Sequence, residues 1–148
     1  MNSERNSNIS LPQTGRLRKK YDLEDRLLEF AATVIDVSEK LPRTRAGTHL
    51  AGQFLRAGTS PYGNHGEAQS PESAEDFIHK MKVCLKELRE AHRWARLIQR
   101  QRWLGNDSKL CFVLTEGEEL VRIFNASIRT AERNRAGQPP SGKPFSRS

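Results

Sequence analysis

Between residues 70 and 103 the apolar residues Phe77, Met81, Cys84, Leu88, Ala91, Ala95 and Ile98 recur at alternating steps of four and three. That spacing places them within one narrow arc of an α-helix, the a/d seam of a packed helix. Lys82, Lys86, Arg89, Arg93, Arg96 and Arg100 recur at the same steps, roughly 140° from the seam at 100° per residue. One helix therefore carries a core stripe and, nearly opposite, a cationic ridge about 27 Å long at a rise of 1.5 Å per residue. Ser70 offers an N-cap, Pro71 suits the first helical position, and Glu72, Glu75 and Asp76 follow, where acidic groups meet the positive end of the helix dipole. Ile78 and Leu85 flank the seam on one side, Val83 and Trp94 on the other. Apolar shoulders on both sides predict burial by several neighbours, another subunit among them.

The rest of the chain repeats the helical pattern. Residues 1–20 begin Asn/Ser-rich and end in the run Arg16, Arg18, Lys19 and Lys20, which predicts a disordered basic arm. Asp22 is a fair N-cap for a first helix whose seam is Leu23, Leu27, Phe30, Val34, Val37 and Leu41, stopped by Pro42. A second helix is expected over about 48–68, with Leu50, Phe54, Ala57 and Pro61 along its apolar side. Gly52, Gly58, Gly63 and Gly66 weaken it, Pro61 should kink it, and the small glycines argue for close approach of another helix. The turn Gly105-Asn106-Asp107-Ser108, capped by Asp107 or Ser108, leads to a fourth helix with the seam Leu110, Leu114, Gly117, Val121, Phe124 and Ile128. Gly117 would let a neighbouring backbone come near. Residues 135–148, rich in Pro, Ser and Gly, read as a disordered tail. The pattern predicts an all-α, antiparallel up-down-up-down four-helix bundle over residues 21–134, between disordered basic tails.

One chain of 148 residues, 35% apolar and 29% charged, suits a single solvated helical domain. Cys84 and Cys111 both fall near helical core stripes and read as reduced and structural. The first residues lack an apolar signal core and no apolar run spans a bilayer, so a soluble, cytoplasmic protein with no membrane partner is expected. His49, His65, His79 and His92 lack metal-ligand spacing, and no phosphate loop or nucleophile elbow occurs. Ser60, His65 and Glu67 form only a cluster at helical spacing. No enzyme, metal or cofactor is expected.

The segment Gln53-Phe54-Leu55-Arg56-Ala57-Gly58-Thr59-Ser60, with Asn64 and Glu67-Ala68, resembles the signature of the bacterial four-helix-bundle proteins, also called 23S rRNA intervening-sequence proteins. Asp76-Phe77-Ile78-His79-Lys80-Met81, then Leu85-Lys86-Glu87, Glu90 and Trp94, resembles that family's third helix. The likeness covers roughly residues 21–128. It departs at Pro61-Tyr62, where an apolar and a small residue are usual, and at Ala95, where leucine is common. The resemblance implies a bundle that assembles as a homopentamer. Some members are encoded within intervening sequences of ribosomal RNA genes. A related protein is the accessory subunit of diversity-generating retroelements, a basic pentamer that works with a reverse transcriptase.

Two candidate sites follow. The first is a polar network of Gln53, Arg56, Ser60, Asn64 and Glu67 on the second helix with Glu87 and Trp94 on the third. Arg56 is expected to pair with Glu87 in partial burial, where losing one partner costs about 3–5 kcal/mol. The second is a nucleic-acid surface made of the ridge residues Lys82, Lys86, Arg89, Arg93, Arg96 and Arg100 with Arg18, Lys19 and Lys20 of the arm. Segments 1–20, 77–102 and 129–148 are each net positive, whereas 21–76 and 103–128 are net negative. Cations concentrated in this way suit a polyanion. No base-reading motif is present, so contact with RNA or DNA should be to the backbone. The bland alternative is a solvated face, helped by a Lys86–Glu90 pair. The expectation is a non-enzymatic homo-oligomer, pentameric by the resemblance, that binds nucleic acid beside a larger nucleoprotein machine. A protein scaffold is the alternative.

Overall fold

The computed structural model describes residues 15–137, with side-chain surroundings from residue 23 onward. Four helices follow in order: α1 Gly15–Glu39, α2 Arg45–Ala68, α3 Ala74–Arg100 and α4 Ser108–Ala136. Each packs on its neighbours in sequence, and α1 closes the ring on α4. Ion pairs mark the antiparallel order. Lys40 to Asp107 (2.6 Å) and Asp36 to Lys109 (2.7 Å) join the end of α1 to the start of α4. Glu75 and Arg135 (3.8 Å) join the start of α3 to the end of α4.

Three helix starts differ from expectation. α1 begins at Gly15, upstream of Asp22, so the backbone of residues 15–20 is helical rather than part of a disordered arm. Residues 1–14 and 138–148 lie outside the described residues. α2 begins at Arg45, capped by Thr44, whose hydroxyl accepts the Gly47 amide. It runs unbroken through the buried Pro61. α3 is capped by Ser73 and not by Ser70. Ser73 Oγ accepts the Asp76 amide at 3.0 Å while the Asp76 carboxylate accepts the Glu72 amide at 3.1 Å. The cap thus satisfies one orphaned amide of the first turn. The Asp76 carboxylate reaches back past the cap to the preceding Glu72 amide, a variant of the capping box in which the return bond falls one residue before Ser73. α4 has the expected Asp107 cap, which accepts the Lys109 and Leu110 amides, both at 2.9 Å.

Leu27, Phe30, Val34 and Val37 of α1 meet Leu50, Phe54, Ala57 and Pro61 of α2 in the core, as their spacing requires. The α3 seam from Met81 to Ile98 is buried too, with Phe77 half-buried above it. On α4 the buried line is Leu110, Val113, Gly117, Leu120, Phe124 and Ile128. Leu114 and Val121, expected at its centre, are half-buried shoulders. Of the α2 glycines, Gly58 is the one that brings helices together: an added Cβ would lie 2.6 Å from Val34 Cγ1. Around Gly52, Gly63 and Gly66 the space is open. Gly117 makes room for the His92 ring, 3.2 Å from an added Cβ, rather than for a backbone.

The cysteines separate. Cys84 is buried, its Sγ 3.7 Å from the Pro61 carbonyl, and burial pushes its thiol up to about 12. Cys111 is exposed, contrary to its expected place on a core stripe, because the α4 seam is rotated toward Val113. Only a thiolate reacts readily. An aromatic disulfide reagent should therefore modify Cys111 promptly in the native protein and Cys84 only after denaturation. Two equally fast thiols in the folded protein would contradict this packing.

His65 is buried, edge-on to Phe124 at a centroid distance of 6.0 Å and 3.1 Å from Gln69 Nε2. Burial holds its pKa below the ordinary 6.5, and the charge of Glu24 opposes the shift. The unfolded chain therefore takes up a proton that the native state resists, so stability is full above the ordinary histidine range and falls as pH drops through it. Urea midpoints should decline below pH ~6.5, and His65→Gln should flatten that decline. Asp76 and Asp107, held low by hydrogen bonds from the Glu72 amide and Lys40 respectively, act only at more acid pH.

Candidate nucleic-acid interface

The seam of α3 fixes where the ridge points. Because Met81, Cys84, Leu88, Ala91, Ala95 and Ile98 face the core, Lys82, Lys86, Arg89, Arg93, Arg96 and Arg100 all stand exposed. Lys82 is paired with Glu132 of α4 at 2.9 Å. The other five form no ion pair among the described residues. Several cations off the ridge do have carboxylate partners, such as Arg26 with Glu116 (2.8 Å) and Lys80 with Asp76 (2.9 Å), whereas Arg43, Arg45, Arg129 and Arg133 are exposed and, like the five, have no ion pair among the described residues. The expected Lys86–Glu90 pair does not form, because Glu90 Oε2 accepts Arg56 Nη2 at 3.2 Å and Trp94 Nε1 at 3.3 Å. Like charges at i,i+3 and i,i+4 repel by roughly 0.2–0.5 kcal/mol per pair. The ridge is therefore a standing cost to the isolated helix.

α4 adds groups that the periodicity of α3 does not reveal. A groove of about 330 Å³ between the helices is lined by Arg89, His92, Glu118, Val121, Arg122 and Asn125. His92 Nε2 lies 3.9 Å from Glu118 Oε2, and Arg122 reaches Glu119 at 3.2 Å. Farther along, a concavity of about 640 Å³ at the α3–α4 turn is lined by Arg96, Gln99, Arg100, Arg102, Gly105 and Asn106. Arg102 lies past the end of the helix, so no helical count from the ridge includes it. Arg18, Lys19 and Lys20 fall within the helical backbone of α1, and their side chains lie outside the described residues.

The polar network forms with different partners. Arg56 pairs with Glu90, one turn beyond the expected Glu87, and also donates to Gln53 Oε1 at 2.9 Å. Glu87 instead accepts Asn64 Nδ2 at 3.0 Å. Trp94 joins through its indole N–H to Glu90 and edge-on to His49 at 6.4 Å. Ser60 is half-buried and Glu67 exposed, and neither makes a side-chain hydrogen bond among the described residues. The Arg56 side chain is 55% exposed and that of Glu90 33%. A pair so solvated contributes about 0–1 kcal/mol within one chain, well under the figure for a buried pair. With His65 in the core and Glu67 at the surface, Ser60, His65 and Glu67 do not converge. Among the described residues no group of three His, Cys, Asp or Glu is placed to hold a metal ion. No described helix is long and apolar enough to cross a membrane.

A solved structure from Bacteroides thetaiotaomicron, a protein of unknown function from the S23 ribosomal protein family, superposes with a TM-score of 0.65 at 27% identity. The match covers 72% of this chain and 97% of that one. The chain is similar to an S23-family bundle. No family model matches the sequence, and no curated protein does.

Proposed function

We propose that the chain is a member of that S23-like family and works as a non-enzymatic, self-assembling bundle that binds the backbone of RNA or DNA without sequence preference. The observation that carries this reading is the row Lys86, Arg89, Arg93, Arg96 and Arg100, exposed along α3 without a carboxylate partner among the described residues. Cations so placed bind phosphates and release counterions, an effect that grows with the number of contacts. Self-assembly draws support from the outer face of α2. Leu55 and Tyr62 are exposed there beside the open Gly52, Gly63 and Gly66, all within one arc opposite the core. Each glycine costs a helix about 1 kcal/mol relative to alanine, and a partner helix approaching closely would offset that. Assembly would repeat the ridge in every subunit, pentameric if the family pattern holds, and suit an accessory role beside a larger nucleoprotein machine such as a reverse transcriptase. The same α2 face is also what favours the alternative, a scaffold whose partner is another protein.

Two unrelated oligonucleotides of equal length and a duplex decide between them, with complex mass recorded by light scattering. Similar affinity for both sequences on an oligomer supports the proposal. No binding at low salt, or a strong preference for one sequence, would count against it.

A further inference from the structure

We propose that the α3–α4 turn is a seat for a phosphate group of a nucleic-acid strand, formed by Arg96, Arg100 and Arg102. The inference deepens the backbone-binding reading and rests on it. Three guanidiniums and the amides of Gln99 and Asn106 line one concavity of about 640 Å³ that has no carboxylate in its wall. The nearby Asp107 carboxylate is committed to Lys40 at 2.6 Å and to the first amides of α4. It leaves the arginines uncompensated.

The backbone supplies a second, independent argument. Arg102 has φ 58°, in the left-handed region, and Gly105 has φ 60°. Gln101 caps α3, so Arg102 occupies the position just past the cap. Helices commonly end there with glycine, which adopts this conformation without a Cβ penalty. The Arg102 amide donates to the Gln99 carbonyl at 3.0 Å, a bond that glycine would make equally well. Backbone geometry thus disfavours arginine at this site, and what arginine adds is its guanidinium. Residues held in strained conformations cluster at ligand sites. The helix dipole accounts for a cation in the last turn, such as Arg100; it does not account for an arginine in a left-handed conformation beyond it. Planar guanidiniums suit phosphate because each can offer two parallel N–H donors.

The test uses the full-length protein and a short labelled single-stranded RNA, with either a 5′-phosphate or a 5′-hydroxyl, titrated at several salt concentrations. Arg102→Gly should raise the melting temperature, because strain is removed, yet weaken binding several-fold and flatten the salt slope by about 1. Arg102→Lys, which keeps the charge and the backbone strain, should retain the slope. Weakening confined to the 5′-phosphorylated strand assigns the seat to a strand end; equal weakening of both strands assigns it to an internal diester. Unchanged affinity and slope in Arg102→Gly, with the wild type binding normally, would overturn the seat while leaving the ridge intact. Failure of the wild type to bind either strand would overturn the underlying reading as well.

Discussion

Replacing Arg93 and Arg96 together by glutamate should weaken binding of generic RNA and DNA between about ten- and a hundredfold at low salt. The salt slope should become shallower by about 2, one for each lost phosphate contact. Both side chains are exposed near the middle of the ridge and have no ion-pair partner among the described residues. Neither packs in the core, where Ala91, Ala95 and Ile98 carry the contacts of that helical stretch. The melting temperature should therefore hold or rise slightly, since surface substitutions of this kind fall within about ±0.5 kcal/mol and the change relieves like-charge repulsion. Loss of binding without loss of stability is the signature of a recognition surface. Unchanged affinity in a folded double variant would reduce the ridge to a solvated face.

The largest effect on stability is expected at Gly58. An added Cβ would lie 2.6, 2.7 and 2.9 Å from three carbons of Val34. Val34 is fully buried and β-branched, so its χ1 cannot easily turn away inside α1. Gly58→Leu should therefore cost about 3 kcal/mol by overpacking the α1–α2 contact, a drop of roughly 10 °C in a thermal scan. Gly63 is the internal comparison, on the same helix with open space around it. There alanine should stabilise the dissociated chain by up to about 1 kcal/mol, and a loss instead would report a partner against that face. A Gly58→Leu variant as stable as the parent would mean that α1 and α2 do not pack as described.

The heptad-like spacing of α1, α2 and α3 was enough to place their core residues, because one buried stripe per helix is the minimum a bundle needs. It also placed the ridge, since a group nearly opposite a buried seam has nowhere to point but outward. What spacing cannot supply is the relative slide and rotation of two helices. Glu87 and Glu90 are one turn apart on the same side of α3, and the slide of α2 along α3 decides which of them meets Arg56. The rotation of α4 likewise turned Val113 and Leu120 inward and Cys111 outward. At the start of α3 the spacing pointed to Ser70 as the cap, and the bonds from the Asp76 amide to Ser73 and from the Glu72 amide to Asp76 placed it three residues later. Arg102 was hidden for a different reason. It follows the helix end, so its place beside Arg96 and Arg100 comes from turn geometry that periodicity does not encode.

The central claim is that the cations of α3 bind nucleic-acid backbone, and its most direct test is the salt dependence of wild-type affinity for a generic single-stranded RNA and its DNA counterpart, followed by fluorescence anisotropy. The account predicts micromolar or tighter binding at low salt, with log affinity falling steeply and linearly against log salt; the slope counts the phosphates neutralised. Little difference is expected between the two strands. A flat salt dependence, or no binding at low ionic strength, would contradict the account and leave the outer face of α2 as the surface to follow.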